Sequence, residues 1–456
     1  MASALLDPIF DAAGLGALFS DSARLQAMLD FEAALARAEA QCGMFDAAEA
    51  ECIARCCRAE GFDVESLGRA ARAGGNPAIP LVAALTERVA AESSQAARWV
   101  HFGATSQDVI DTALVLALRQ LGRILDRQLT DLAATLADLA AAHRDTPMVA
   151  RTFLQHAVPT TFGCKVAGWL DSLLRHRQRL GQLEERLLVL QFGGAAGTLG
   201  ALGEKGPQVA SRLAGMLGLG LPEIPWHVHR DRLAELGGWL GSLAGCLGKI
   251  AQDVALMTQS EVAEVAEGAK AGHGTSSSMP QKRNPVACVL TLAAARRAPH
   301  LAATLFASML QEQERGLGGW HAEWQTVAEL CVLVGGALHL MGEALGGLEV
   351  DVARMRRNLD LSGGLVMAEA VQTALVERIG RADAREKIAA ACQRARAEGR
   401  HLREVLAADA EIGASLDRSA LERLFDPDRH LGAAPAFVDA VLARYRASRS
   451  RDRDPA

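Results

Sequence analysis

Residues that favour β-strands are scarce in this chain. Aromatic residues make up only 4% of its 456 residues, with a single Tyr, and alternating runs of β-branched residues are nearly absent. Because strands are enriched in aromatic and β-branched residues, this composition argues against a fold built on sheets. The chain is also too long to fold around one hydrophobic core of ordinary size. We therefore expect an all-α fold with two or three domains or one extended architecture.

The chain also lacks an excess of positive charge and a long apolar run. Its formal net charge is −6, whereas a nucleic-acid-binding protein would show a concentrated basic face. No apolar run suggests a membrane span. The start of the chain, MASALLDPIF, lacks the basic residues and cleavage pattern of a signal peptide. We expect no nucleic-acid or membrane partner and a cytoplasmic location.

Metal-binding patterns are incomplete. The nine cysteines are scattered and odd in number, which is typical of reduced thiols in a reducing compartment. Cys52, Cys56 and Cys57 form one cluster, and His227 and His229 form a short pair. Neither has a partner cluster that would complete a four-ligand site, so we expect no bound metal.

Long helices dominate the pattern. Eight leucines recur at spacings of three and four, which predicts one apolar helix face of roughly 40 Å. Segments 233–267 and 287–310 are two further long helix candidates. Helices of this length need partners along their whole length, which points to a bundle within or between subunits. The eight leucines are Leu114, Leu118, Leu121, Leu125, Leu129, Leu132, Leu136 and Leu139.

A glycine- and serine-rich segment, GHGTSSSMPQKRNP at 272–285, lies between two helix-like stretches. Its composition alone fits a flexible linker. A lid that closes over an anion is the alternative, because prolines stiffen the end that carries Lys282 and Asn284 beside a flexible serine run.

Two further segments could bind an anion. The first, HFGATSQDVIDT at 101–112, directly precedes the leucine series. Thr105 or Ser106 could simply cap that helix, with Asp108 in its first turn. The same hydroxyls, with the unpaired N–H groups of a helix start, could also bind a carboxylate. The second segment is RTFLQHAVPTTFG at 151–163.

Together the three segments resemble the fumarase/aspartase superfamily. Its signature loop is usually Gly-Ser-Ser-x-Met-Pro-x-Lys-x-Asn-Pro. Seven of the eight fixed residues recur here from Ser276 to Pro285, and Thr275 stands in place of the glycine. Segment 101–112 is similar to the superfamily's Thr-Ser-x-Asp-Val segment, and segment 151–163 to its Thr-His-x-Gln-x-Ala-x-Pro-x-Thr segment. The resemblance covers about residues 5–450.

The resemblance implies an architecture. We expect a three-domain helical fold, with an N-terminal helical domain at 1–110, a central long-helix bundle at 111–350 and a C-terminal helical domain at 351–456. It further implies a homotetramer in which the central helices of four subunits form a twenty-helix core. Each site would then combine segments from three subunits. No metal or organic cofactor is implied.

The resemblance also implies roles for individual residues. The shared chemistry moves a proton on a carbon next to a carboxylate, so it needs an acid–base group and nearby cations or amides. Ser276 stands at the position of the loop base, and His101 matches a histidine shared with adenylosuccinate lyases; these are the two catalytic candidates. A serine would need desolvation and neighbouring positive charge to act. The expected contacts to a small tricarboxylate substrate are Thr105, Ser106, Thr152, Gln155, Ser277, Lys282, Asn284, Arg315 and His321.

One departure narrows the expected reaction. Phe153 stands where many members carry the histidine that assists the leaving group, and a phenyl ring cannot carry a proton. A carboxylate leaves as an anion and needs no such help. Segments 190–199, 225–232 and 312–324 are also similar to the members that lactonise 3-carboxy-cis,cis-muconate to 4-carboxymuconolactone in the protocatechuate branch of the β-ketoadipate pathway. We therefore expect a cycloisomerase that catalyses this reaction. The alternatives to this function are an adenylosuccinate-type lyase that releases fumarate, and a non-catalytic crystallin-like protein.

Overall fold

The computed structural model describes residues 3–268, 279 and 281–453. The regular elements of this part of the chain are helices and two short two-stranded sheets, so the expected all-α fold is confirmed. The helices are α1 (Asp7–Phe10), α2 (Asp21–Gln41), α3 (Ala47–Cys56), α4 (Val64–Gly74), α5 (Ala78–Glu92), α6 (Ser106–Ala142), α7 (Phe162–Leu187), α8 (Gly206–Leu217), α9 (Asp231–Met257), α10 (Val286–Ala307), α11 (Gly319–Gly346), α12 (Val352–Asp360), α13 (Ala368–Ile379), α14 (Arg381–Glu398), α15 (Leu402–Ala407), α16 (Ala410–Ser415), α17 (Arg418–Leu424) and α18 (Ala434–Arg453). The strands are β1 (Pro147–Thr152), β2 (Gln155–Thr161), β3 (Val265–Ala266) and β4 (Glu349–Val350).

The leucine series lies on α6, which runs for 37 residues. Six of its eight leucines are buried, whereas Leu114 and Leu139 near the two ends are half-buried. The predicted segment 287–310 corresponds to α10. The predicted segment 233–267 was too long, because α9 ends at Met257 and the chain turns into the short strand β3. The apolar helix face predicted from the leucine spacing is therefore confirmed, and the predicted end of the second helix was wrong.

The chain divides into two compact units, each made of three stretches. The first comprises Met1–Gln128, His176–Gly248 and Leu290–Leu340. The second comprises Leu129–Arg175, Lys249–Val289 and Met341–Ala456. The domain limits expected at 110 and 350 stay a prediction.

In the first unit, α2 packs against α3 and α8 around a common apolar core. Leu29 and Phe31 of α2 and Ile53 of α3 are completely buried. Each such side chain contributes about 1.5–3 kcal/mol by its removal from water. The core of this unit therefore fixes the buried face of α2, which also carries two glutamates described below.

In the second unit, α13 packs against α14, and α14 against α15, around buried residues such as Leu375 and Ile388. Strands β1 and β2 form an antiparallel hairpin that lies against α12. The hairpin turns at Phe153 and Leu154, whose φ angles are +50° and +63°. Such a two-residue turn usually carries Asn or Gly, because other side chains are strained at positive φ. The turn thus holds two apolar residues in a conformation that they disfavour.

One helix, α11, is long and apolar enough by composition to be considered as a membrane span, which the sequence reading did not recognise. Of its most apolar window, 61% is buried inside the protein. A core helix of a globular protein has the same length and composition, so the burial explains the apolar face without a membrane.

Candidate functional site

The start of α6 is tied to a glycine loop by one carboxylate. Asp108 is completely buried, and it accepts hydrogen bonds from the backbone N–H of Thr105 at 3.0 Å, of Gly193 at 3.0 Å and of Gly194 at 2.9 Å. His227 Nε2 lies 2.6 Å from the same carboxylate. The bond from the Thr105 backbone N–H to Asp108 is the carboxylate half of a capping box, whereas the cap by a Thr105 or Ser106 hydroxyl that the sequence allowed is not formed among the described residues. Asp108 and His227 therefore hold the segment in place rather than facing a ligand.

Thr105 and Ser106 are half-buried at this helix start. Among the residues that the structure describes, neither hydroxyl makes a hydrogen bond. A helix start with available hydroxyls is suited to bind a carboxylate, because the helix dipole and the first N–H groups favour negative charge there.

His101 lies in the loop before α6, and its Nδ1 is 2.6 Å from Glu32 Oε1. Burial alone would lower the pKa of His101. The charge of Glu32 and the hydrogen bond to it, helped by the charge of Asp108, outweigh burial and raise that pKa above its ordinary value. The His101 side chain is 16% exposed, whereas that of Glu32 is 1% exposed. The ring is thus paired on its buried side and reaches solvent on the other.

Arg315 extends to the same glycine loop. Its Nη1 donates to Gln107 Oε1 at 2.8 Å, and its Nη2 donates to the carbonyls of Gly194 at 3.2 Å and Ala195 at 2.8 Å. Burial lowers the pKa of Arg315, while the charges of two nearby aspartates oppose this. All three acceptors are neutral, so a surface salt bridge does not account for Arg315. Its charge remains available for a substrate carboxylate.

His321 is placed differently from the other predicted residues of this unit. It is exposed, its Nε2 lies 3.1 Å from the Gly75 carbonyl, and its ring packs against Trp320 and Trp324. No hydrogen bond joins it to His101, Thr105, Ser106 or Arg315 within the described residues of the unit. The structure therefore gives no support for grouping His321 with them.

A buried ion cluster lies behind the start of α6. Arg230 donates to both oxygens of Asp111 at 2.7 and 3.0 Å, and its Nε lies 3.0 Å from Glu323. Its guanidinium stacks on the Trp226 ring at 4.8 Å, and Trp320 Nε1 donates to Asp111 at 2.9 Å. Desolvation raises the pKa of Glu323 in spite of Arg230. This cluster fixes α6 against α11 within the first unit.

In the second unit, Arg151 is engaged inside the fold. It forms two hydrogen bonds to Glu264 at 2.9 and 2.7 Å, and Asn358 Nδ2 donates to the same glutamate at 2.8 Å. Glu264 is completely buried. Burial first, and then the Arg151 charge, lower the pKa of the neighbouring His156. Because Arg151 pairs with His156 directly before the Thr152–Gln155 pair, these contacts anchor the β1–β2 hairpin close to its turn.

The tip of that hairpin is solvent-exposed. Thr152 and Gln155 pair across the ladder directly before the turn, and both are exposed. Phe153 is 100% exposed and Leu154 is 72% exposed. No pocket of the described second unit therefore receives Phe153. The tip presents two polar and two apolar side chains outward.

The signature loop is described only at its C-terminal end. Ser276 and Ser277 lie outside the described residues. Lys282 and Asn284 line a cavity of about 960 Å³ together with residues such as Gln259 and Ser260. The structure thus brings two of the predicted substrate contacts together at one cavity.

The charges around this cavity are unequally paired. Arg283 donates to Glu349 at 2.7 and 2.8 Å, so its charge is largely neutralised. Lys282 forms no ion pair with any residue that the structure describes. Glu267 accepts from the backbone N–H of Ala287 at 3.3 Å and of Cys288 at 3.0 Å, and so occupies the start of α10. Among the described residues that line the cavity, Lys282 is the cation without an ion pair, and it is available for an anionic ligand.

Sequence reasoning missed Glu32 and treated His227 as an incomplete metal pair. A signal for Glu32 existed: Leu25, Glu32 and Glu39 are seven positions apart and therefore share one helix face. No comparable signal pairs His227 with Asp108, because the two lie 119 positions apart.

The chain matches two protein families in succession. The family described as Lyase matches residues 11–299, and the one described as Adenylosuccinate lyase C-terminus matches residues 364–441.

Full-length relatives agree with this. The 3-carboxy-cis,cis-muconate cycloisomerase of Pseudomonas aeruginosa is 54% identical, over 98% of this chain and 97% of that protein. Nitrosuccinate lyase of Streptomyces davaonensis is 45% identical, over 96% and 94%. The crystal structure of 3-carboxy-cis,cis-muconate lactonizing enzyme from Pseudomonas putida is 49% identical and superimposes with a TM-score of 0.93, over 98% and 99%. The chain therefore belongs to the Lyase family, within the fumarase/aspartase superfamily that its sequence resembled.

Proposed function

We propose that this protein is a cycloisomerase that lactonises 3-carboxy-cis,cis-muconate to 4-carboxymuconolactone. The observation that carries the proposal is Phe153: the position that holds a proton-carrying histidine in many members carries a phenyl ring at an exposed hairpin tip. Lactonisation needs no proton there, because a substrate carboxylate itself attacks the double bond. The names of the cycloisomerases that are similar over nearly the full chain support the same reaction.

The reaction divides the work among the proposed residues. Attack by one carboxylate leaves a carbanion next to another, and the negative charge spreads onto that second carboxylate as an aci-carboxylate. Ser276 is the proposed proton donor to this carbon, with His101 as the second candidate. Arg315 and Lys282, whose charges no described carboxylate neutralises directly, would bind the carboxylates of the substrate. Thr105, Ser106, Thr152, Gln155, Ser277, Asn284 and His321 complete the proposed contacts.

We further propose that the protein acts as a homotetramer in the cytoplasm. The exposed hairpin tip, with Thr152 and Gln155, supports a site that needs a neighbouring subunit. All nine cysteines are free thiols, which fits a reducing compartment. Arg315→Met and Lys282→Met, each inactive alone, should regain partial activity when mixed and reassembled. No recovery in such mixtures, or a monomer by light scattering, would contradict shared sites.

An assay with three substrates tests the function. The protein is incubated separately with carboxymuconate, adenylosuccinate and nitrosuccinate, and the ultraviolet absorbance is followed. Turnover of carboxymuconate alone is expected. Turnover of adenylosuccinate instead would overturn the argument from Phe153, since an amine needs a proton to leave. Nitrosuccinate is the stricter control, because nitrite also leaves as an anion; its preferential turnover would keep the argument from Phe153 and change the substrate.

A further inference from the structure

Helix α2 carries two carboxyl groups on its buried face. Glu32 is 1% exposed and Glu39 is completely buried, and the two are seven positions apart on the face that also holds Leu25. Removing a carboxylate from water is costly unless it is paired or neutral. Each of these two glutamates therefore needs its own explanation.

The two glutamates resolve this cost in opposite ways. Glu32 Oε1 lies 2.6 Å from His101 Nδ1. Neither carboxyl oxygen of Glu39 has a hydrogen-bond partner among the described residues. Burial first, and then the charge of Glu32, raise the pKa of Glu39 to about 9, so Glu39 is neutral at pH 7. Glu32, in contrast, has His101 as a partner at Oε1, while its Oε2 has no hydrogen-bond partner among the described residues.

The other side of the His101 ring is available. Its Nε2 makes no hydrogen bond to any residue that the structure describes, and the side chain remains 16% exposed. The second carboxylate near His101 is Asp108, whose oxygens already accept from Thr105, Gly193, Gly194 and His227. Glu32 is thus the one described carboxylate bonded directly to the ring, and it fixes Nδ1 as the inward nitrogen.

We propose that Glu32 is a positioning residue that holds His101 as an imidazolium, with Nδ1–H donated to Glu32 and Nε2–H presented to a substrate carboxylate. This rests on the proposed function. Glu32 itself touches no substrate. The Nε2–H group would stabilise the aci-carboxylate, where negative charge grows in the transition state, and a fixed donor of this kind is worth about 10²–10³ in rate. No proton leaves the ring in this role.

The variant Glu32→Gln tests the proposal, with Glu39→Gln as its matched control. Both changes replace a buried glutamate on α2 by its neutral isostere. Glu32→Gln should lower kcat by about 10-fold or more at pH 8, with KM changed less than about threefold. As the pH is raised, the variant should also lose activity at a lower pH than the wild type does, because without the Glu32 charge His101 loses its proton at a lower pH. Glu39→Gln should keep the kcat and pH profile of the wild type, since Glu39 is already neutral.

Two results would overturn the proposal. One is a Glu32→Gln enzyme with the kcat and pH profile of the wild type. The other is a double variant Glu32→Gln/His101→Gln that is clearly slower than His101→Gln alone, because a residue that acts only through His101 adds nothing once His101 is gone. Glu32→Asp keeps the charge and should recover part of the activity, which separates positioning from a folding defect.

A measurement on the wild type separates this proposal from the proposed function. Ring-carbon NMR of labelled histidine, with His101 assigned by its loss in His101→Gln, reports the pKa of His101 without any substrate. A pKa above about 6.5, lowered in Glu32→Gln and unchanged in Glu39→Gln, supports the pair even if carboxymuconate is not turned over. A pKa of His101 that is the same in Glu32→Gln overturns it, whatever the substrate proves to be.

Discussion

Asp108 and His227 lie 119 positions apart in the sequence, and 2.6 Å separates His227 Nε2 from Asp108 Oδ1. Both side chains are buried. The same carboxylate holds the backbone N–H groups of Gly193 and Gly194, and the Gly194 carbonyl accepts in turn from Arg315. One buried carboxylate therefore links the start of α6, the glycine loop and the proposed substrate-binding arginine.

Replacing this carboxylate should destabilise the protein strongly. In Asp108→Asn, the side-chain NH2 group would face backbone N–H groups, such as those of Gly193 and Gly194, that donate to the carboxylate in the wild type. Several of these donors would then be unpaired in the core. We expect a loss of about 3 kcal/mol in the free energy of unfolding, measured by thermal denaturation. Asp138→Asn, an exposed position on the same helix, is the control and should stay within about 0.5 kcal/mol. A melting temperature of Asp108→Asn equal to that of Asp138→Asn would contradict this role.

The shape of Arg315 should matter as well as its charge. Arg315→Lys keeps the cation but loses the fork that spans Gln107 and the two loop carbonyls, so the charge is no longer held in place. We expect kcat/KM to fall about 10- to 100-fold with little change in melting temperature. Arg418→Lys makes the same substitution on a side chain that is 92% exposed and should have wild-type kinetics. Equal kcat/KM in the two variants would remove Arg315 from the site.

The neutral carboxyl of Glu39 predicts how stability depends on pH. The native state keeps a proton at Glu39 up to about pH 9, whereas the unfolded chain releases it near 4.5. The native state therefore binds more protons over this range, and its stability falls as pH rises, by at most ~1.4 kcal/mol per pH unit. Glu39→Gln removes this contribution.

The measurement is the difference in melting temperature between Glu39→Gln and the wild type at several pH values. The difference should grow in favour of the variant from pH 5 to pH 9, the range set by the two pKa values of Glu39. A constant difference across that range would mean that Glu39 is ionised in the native state.

The sequence was sufficient for the features that depend on local pattern. The leucine spacing predicted α6, because a helix face is set by neighbours three and four positions away. The ordered residues of the signature loop led to the superfamily, which the matching families confirm.

What the sequence could not supply depends on residues far apart in the chain. The pair His101 and Glu32 spans 69 positions, and no local rule brings a loop histidine to the middle of α2. The environment of Phe153 was also beyond reach. In the described second unit no pocket receives its side chain, because the hairpin places the ring outward. Local sequence fixes a conformation, whereas pairing across the core depends on how the helices pack.

The strained turn at the hairpin tip predicts that one variant is more stable and less active than the wild type. Phe153→Asn with Leu154→Gly supplies the residues that suit two positive φ angles, and should stabilise the hairpin by about 1 kcal/mol. If the apolar tip contributes to a site on a neighbouring subunit, the same variant should lose turnover. Melting temperature and kcat are measured on one preparation. Full activity together with higher stability would exclude the tip from the site.

Phe153→His directly tests the hypothesis that the residue at position 153 decides the reaction. Phe153 is fully exposed in the chain, so the substitution should change the free energy of unfolding by no more than about 0.5 kcal/mol. It restores the residue that assists a poor leaving group in other members, but lactonisation by an internal carboxylate gains nothing from it. The rate with carboxymuconate should therefore not increase, and adenylosuccinate should remain untouched. A faster lactonisation, or the appearance of lyase activity, would show that position 153 alone does not decide the reaction.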